Sequence, residues 1–161
     1  MQKRNNRNRA MAVWCCSLLI ILLVLPAAAQ EQGVTAYVGE ASCQPCHETQ
    51  FDSFKKLAKK SRSFESVLIM AKGLPPEKIK DCYVCHTTGY GKPGGFISLE
   101  QTPELKNAGC EVCHGPGKLH VQTQNPDHIR RKVTVEVCQE CHIEDRVRSF
   151  HYKPKLHAGS H

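Results

Sequence analysis

The sequence has 161 residues and a formal net charge of +7 at pH 7, with 10 cysteines and 9 histidines. This length bounds the protein to one domain, or at most two halves, and leaves no room for a large separate substrate domain. Four of the positive charges lie in residues 1–29, so the net charge of +7 falls to +3 for residues 30–161. No basic motif is interleaved with aromatic residues, and nucleic-acid binding is therefore not predicted.

Residues 1–29 predict a signal peptide. Lysines and arginines without any acid come first, an apolar run follows at 13–25, and the segment ends in Ala27, Ala28 and Ala29. As a helix the apolar run would span about 20 Å, short of the ~30 Å hydrocarbon core, so cleavage after Ala29 is favoured over a permanent anchor. We therefore expect an exported protein, periplasmic or extracellular, that keeps no stable membrane anchor after cleavage.

Helices and irregular segments alternate along the remaining chain. Residues 30–38 predict an extended entry, and the apolar spacing at 48–72 predicts one long helix, ended by Gly73 and two prolines. A short helical turn is predicted at 76–80 and further helices at 102–107 and 134–142. The glycine-rich loop at 89–95 lacks the strand and lysine of a phosphate-binding loop, so its glycines are interpreted as allowing close approach to a bound group.

Four Cys-x-x-Cys-His pentapeptides stand out: Cys43–His47, Cys82–His86, Cys110–His114 and Cys138–His142. This motif is the attachment signal for c-type haem, because two thiols add to the porphyrin vinyl groups and the adjacent histidine ligates the iron. A zinc site or a redox dithiol also uses Cys-x-x-Cys, but neither needs a histidine directly after the second cysteine.

The motifs predict four covalently attached haem c groups. The thioether cysteines are Cys43, Cys46, Cys82, Cys85, Cys110, Cys113, Cys138 and Cys141, and the proximal iron ligands are His47, His86, His114 and His142. The other two cysteines lie in the predicted signal peptide, so none remains for a disulfide. We predict a mostly α, loop-rich multihaem cytochrome at 30–161, with a small protein core organised around the four haems.

Five further histidines could supply the second, distal axial ligands. The distal candidates are His120, His128, His151 and His157, and a position near the end of the sequence makes His157 and His161 the weakest of the five. The two axial nitrogens of one iron lie about 4 Å apart on opposite faces of a wide ring. His120, only six residues after His114, is therefore expected to serve a different haem.

Three segments together, residues 37–47, 82–96 and 109–117, resemble the tetrahaem cytochrome c-554 family, and the likeness extends from about residue 37 to 157. The resemblance implies an electron-shuttling protein with stacked and perpendicular haem pairs, in which the haem at His86 has an open distal face. The family usually has a ligating histidine about twelve residues after the first motif. This chain has Lys59 and Lys60 there, interpreted as solvent-facing lysines, with lysine ligation as the alternative.

The favoured function is electron transfer between periplasmic or extracellular redox partners, which would be other cytochromes or an oxidoreductase. Whether the protein is also an enzyme stays open, and no catalytic residue is assigned. One alternative is nitrogen-oxide or hydroxylamine chemistry at an open haem on His86, with Thr88, Tyr90 and Lys92 nearby in sequence. The other is a homo-oligomeric haem wire, in which His157 or His161 ligates a haem of the next molecule.

Overall fold

The computed structural model describes residues 35–143 and residue 161. The predicted signal peptide lies outside these residues, as do His151 and His157. The described part contains six α-helices: α1 (Glu48–Leu57), α2 (Phe64–Ala71), α3 (Pro76–His86), α4 (Cys110–His114), α5 (Lys118–Thr123) and α6 (Val135–Gln139). Four 3₁₀ turns accompany them, at Glu40–Ser42, Lys59–Arg62, Pro103–Leu105 and Pro126–His128.

No strand occurs within 35–143, so the predicted helical, loop-rich class is confirmed. In the same stretch, no helix is both long enough and apolar enough to cross a membrane.

The single helix predicted at 48–72 is wrong, because the chain divides there into α1 and α2. Ala58 is extended, with ψ of 115°, and the Lys59–Arg62 turn separates the two helices. Ala58 and Ser61 are almost fully buried in this break. The start of α2 is set from outside the helix, since the Phe64 amide donates to Asn107 Oδ1 at 3.1 Å. The spacing of apolar residues along 48–72 cannot predict this contact, because Asn107 lies 43 residues after Phe64.

The protein core is small and lies between α2, α3 and the loops that follow. Phe64, Val67, Phe96 and Leu105 form it, with Tyr83 packed against them. The apolar stripe predicted along 48–72 is only partly buried. Phe54 and Phe64 are inside, whereas Leu57 and Leu68 remain 56% and 53% exposed.

Helix α3 is longer than the predicted turn at 76–80 and includes the whole second Cys-x-x-Cys-His motif. Pro76 occupies its first turn, where the missing amide hydrogen is not needed. At the other end of the described chain, α6 covers only Val135–Gln139 of the helix predicted at 134–142.

The glycine-rich loop packs against the entry segment at residues 36–37. Gly89 has φ of +72°, and a side chain there would place its Cβ 2.6 Å from the Tyr37 ring. Gly94 has φ of +70° and lies against Ala36, and Gly95 lies against the Gly89 carbonyl. The glycines therefore let the loop close on itself and on residues 36–37.

Candidate haem-binding sites

Each of the four motifs forms one helical turn. The second is the end of α3 and the third is the whole of α4. In the first and fourth, the histidine amide donates to the carbonyl of the first cysteine, at 3.0 Å for His47 and 2.9 Å for His142. Residues at spacings of three and four share one face of such a turn, so both thiols and the imidazole of each motif point to the same side. This is the arrangement that covalent haem attachment needs.

Two proximal histidines have their ring orientation fixed by a backbone carbonyl. The Nδ1 of His86 donates to the Ser63 carbonyl at 2.9 Å, and the Nδ1 of His114 donates to the Arg130 carbonyl at 2.7 Å. A carbonyl oxygen only accepts, so Nδ1 holds the proton in both rings. Nε2 is then the nitrogen that can bind a metal. Histidines that ligate metals generally donate their other ring N–H to a carbonyl or carboxylate in this way.

The same tautomer is set in two of the distal candidates. His120 Nδ1 donates to the Asn125 carbonyl at 2.9 Å. His128 Nδ1 lies 2.8 Å from Thr123 Oγ1, whose own proton goes to the Leu119 carbonyl, so His128 is again the donor. Both histidines therefore offer Nε2 as a ligand atom.

The structure brings motif histidines and other histidines together in two pairs. The ring centroids of His47 and His120 are 6.3 Å apart with planes at 26°, and those of His114 and His161 are 6.0 Å apart with planes at 23°. Two imidazoles bonded to one metal at about 2 Å each hold their centroids about 6 Å apart. Both pairs therefore fit an iron held between two histidines.

The remaining histidines are placed differently. His86 has no ring partner of this kind within residues 35–143 or at residue 161, and His128 lies against Thr123 instead of a motif histidine. His151 and His157 lie outside the described residues. The His120 ring is beside His47 and not beside His114, its neighbour in sequence.

Cysteines from different motifs also meet in pairs. The thiols of Cys43 and Cys110 are within hydrogen-bonding reach, which lowers the pKa of Cys43 and raises that of Cys110. Burial, followed by contact with the Cys85 thiol, raises the pKa of Cys141 to about 12. The first motif thus adjoins the third, and the second adjoins the fourth. None of these cysteines forms a disulfide in the described structure.

Ser63 holds the second motif in place. Its hydroxyl donates to the His86 carbonyl at 2.8 Å and accepts from the Ala108 amide at 2.8 Å, while its carbonyl binds the His86 ring. The contacts connect α2, α3 and the segment before α4. The sequence pattern could not predict this role of Ser63, because its partners are 23 and 45 residues away.

Glu111, inside the third motif, is a second positioning residue that the sequence did not indicate. It is 2% exposed, and its carboxylate accepts hydrogen bonds of 2.7–3.2 Å from the amides of Val38, Gly39 and Gly117. Burial raises its pKa, opposed by these three amides. The carboxylate joins the entry segment and the loop after His114 to the turn that contains the third motif.

The residues suggested as proton donors near His86 are not equivalent. Thr88 is buried, and its hydroxyl donates to the Asn107 carbonyl at 2.6 Å, so it supports the backbone. Tyr90 packs edge-on against Tyr83 of the second motif with centroids 5.2 Å apart. Lys92 is exposed. Of the three, Tyr90 is the one for which the described residues show a ring contact with the second motif.

Lys59 and Lys60 lie in the 3₁₀ turn between α1 and α2 and differ in surroundings. Lys59 is exposed, while Lys60 is partly buried. The Lys60 charge is close enough to Cys113 and His161 to lower the pKa of each, although burial is the larger influence on both. Lys60 is thus near the third motif.

The zinc alternative does not fit the described residues. A structural zinc ion needs four converging ligands, and no group of three or more His, Cys, Asp or Glu side chains converges on a metal position among residues 35–143 and 161. The helical-turn motifs and the paired imidazoles instead define a c-type cytochrome, a class in which haem c is bound covalently.

Comparison with known proteins finds similarity to one family. The family model for cytochrome c554 and c-prime matches residues 42–115, which include the first three motifs. A cytochrome c-554 of Nitrosomonas europaea is 28% identical over 161 aligned positions, covering 84% of this chain and 66% of the relative. No solved structure matches. The chain is therefore similar to the cytochrome c-554 family, and the resemblance predicted from the motifs is confirmed.

Proposed function

We propose that the protein is an exported electron carrier that binds four haem c groups, one at each motif. The observation that supports this most directly is the pairing of His47 with His120 at the spacing of two ligands on one iron. Haem iron so ligated exchanges one electron between its ferric and ferrous forms, and two strong axial ligands leave no position for a substrate.

The contacts between motifs support a path for electrons within the protein. Each thioether sulfur is bonded to the edge of a porphyrin, so sulfurs that meet bring two porphyrin edges together. The Cys43–Cys110 and Cys85–Cys141 contacts would in this way couple the first haem to the third and the second to the fourth. Redox partner proteins, such as other cytochromes or an oxidoreductase, would deliver and remove the electrons.

Haem counting on the purified, exported protein tests the proposal. The pyridine haemochrome assay should give four haems per chain, and every haem should be reduced and reoxidised reversibly. A Cys138→Ala/Cys141→Ala variant should retain three haems, although its motif lies outside the 42–115 match. Four haems in this variant, or fewer than four in the unchanged protein, would contradict the proposal.

A second candidate function is small-molecule redox chemistry at the haem on His86. The observation that favours it is that no second imidazole lies opposite His86 among the described residues. A haem there without a distal histidine would have an axial position for nitrogen oxides or hydroxylamine. Tyr90, in contact with Tyr83 of the motif, is the nearby group able to donate a proton. Electron paramagnetic resonance of the oxidised protein should then show one high-spin haem that binds nitric oxide. An entirely low-spin spectrum rules the candidate out.

A further inference from the structure

His161 is the histidine that the sequence ranked among the weakest ligand candidates, yet its ring lies opposite a motif histidine. Its centroid is 6.0 Å from that of His114, with the ring planes at 23°. The His47–His120 pair has nearly the same separation and plane angle, 6.3 Å and 26°. Two independent pairs, each joining a motif histidine to one outside the motifs, thus repeat one geometry.

The hydrogen bonding of His114 agrees with a metal between the two rings. Its Nδ1 is occupied by the Arg130 carbonyl, so Nε2 remains for coordination. The Arg130 guanidinium also donates to the carbonyl of Cys113, the residue before His114, at 2.9 Å. This hydrogen bond holds the helical turn of the third motif. Arg130 therefore holds the proximal histidine of the third motif, and the Nε2 of His114 is left for iron.

Lys60 is the other candidate ligand at this place. Its charge acts on both Cys113 and His161, so its amine lies near the third motif. A lysine ammonium has three protons and no lone pair, whereas an imidazole near neutral pH offers a lone pair without losing a proton. The His161 ring also lies opposite His114 at the spacing of two ligands on one metal, so it is the better placed of the two candidates.

We propose that His161 is the distal ligand of the haem attached at Cys110, Cys113 and His114, and that it comes from the same chain. This inference rests on the proposed function, because it needs a haem at the third motif. It makes the first and third haems a matched pair, both ligated by two histidines. It also assigns His161 within its own molecule, so His161 does not link one molecule to the next in a haem wire.

The test replaces His161 in the haem-loaded protein and counts spin states by electron paramagnetic resonance. His161→Ala should convert one haem from low-spin to high-spin, and added imidazole should restore the low-spin signal. The pyridine haemochrome count should stay at four, which separates this result from a failure of haem attachment. Ser160→Ala, at the adjacent position, is the matched control and should leave the spectrum unchanged.

Two further variants make the result decisive. Lys60→Met/His161→Ala removes the amine that could replace the missing imidazole, and a low-spin count equal to that of the unchanged protein in this double variant would overturn the proposal. His120→Ala/His161→Ala should give two additional high-spin haems, because the two ligands serve different irons. A single additional high-spin haem would mean that they share one iron and would also overturn it.

Size-exclusion chromatography separates ligation within one chain from ligation between chains. The unchanged protein should elute as a monomer, and His161→Ala should elute at the same volume. An oligomer that dissociates in His161→Ala would show that His161 binds a neighbouring molecule, contrary to the proposal.

Discussion

The surroundings of the first and third motifs differ from those of the second. At the first and third, each proximal histidine faces another imidazole about 6 Å away. At the second, His86 is held by Ser63 and no imidazole faces it among the described residues. Aromatic side chains pack beside this motif instead, with Phe64 and Tyr83 centroids 5.9 Å apart.

On the proposed function, one attachment signal would serve two kinds of site. The pentapeptide determines only how the haem is bound to the chain and which histidine is proximal. The opposite face depends on what distant segments bring there. Two facing histidines suit electron transfer alone, while a face without one leaves room for a small ligand.

The largest expected effect is the loss of a distal ligand at the first motif. His120→Ala should convert one of the haems from low-spin to high-spin, because the position facing His47 is then empty. Electron paramagnetic resonance of the oxidised protein measures this. Gln122→Ala, an exposed position on the same helix, is the control. An unchanged low-spin count in His120→Ala would remove the distinction between the first and second motifs.

Loss of the Glu111 carboxylate should be the largest effect on stability. Glu111→Gln keeps the shape but places an amide nitrogen against backbone donors, and we expect the free energy of unfolding to fall by about 2–4 kcal/mol. Urea unfolding followed by far-ultraviolet circular dichroism measures it. Glu65→Gln, at an exposed position, should change stability little. Equal stability of the two variants would show that the hydrogen bonds to Val38, Gly39 and Gly117 contribute nothing.

The same residue predicts a dependence of stability on pH. Burial raises the pKa of Glu111 above its ordinary value of 4.5, so the folded protein binds more protons than the unfolded chain between that value and the raised one. Stability should therefore fall as the pH rises through this window, and Glu111→Gln should flatten that part of the curve. Urea midpoints measured in steps across the window test this. If stability instead rose with pH over this window and the rise were absent in Glu111→Gln, the pKa of Glu111 would be lowered and not raised.

A smaller effect is expected at the second motif. Ser63→Ala removes the hydroxyl that joins the His86 carbonyl to the Ala108 amide, and we expect a loss of about 1–2 kcal/mol. Ser66→Ala, on the exposed side of α2, is the matched control. The urea midpoints of the two variants should differ in this direction, and coincident midpoints would contradict a positioning role for Ser63.

The smallest effect should come from the ion pair of Lys55 with Glu40, 2.6 Å apart and partly exposed. Lys55→Met should cost about 0.2–1 kcal/mol, because solvent screens such a pair. Lys56→Met, at an exposed position on the same helix, should cost less, and salt should reduce the difference between the two urea midpoints. A loss of stability as large as that of Glu111→Gln would mean that Lys55 has a further role.

The sequence by itself determined the four motifs, the helical class and the resemblance to a family. Each of these depends on residues close together in the chain, and a cysteine, a second cysteine and a histidine within one helical turn have a spacing that can be read directly. The same local reasoning predicted helices near 48–72, 76–80 and 134–142 without their correct ends.

Only the tertiary structure decided where α1 ends, that Glu111 and Ser63 position the motifs, and that His161 faces His114. Each of these depends on contacts between segments far apart in sequence, such as the amide of Phe64 with Asn107 or the amides of Val38 and Gly39 with Glu111. The free energy of such contacts exceeds the weak local preferences that a sequence pattern reports. For the same reason, the sequence named the candidate histidines, and only the fold could pair them.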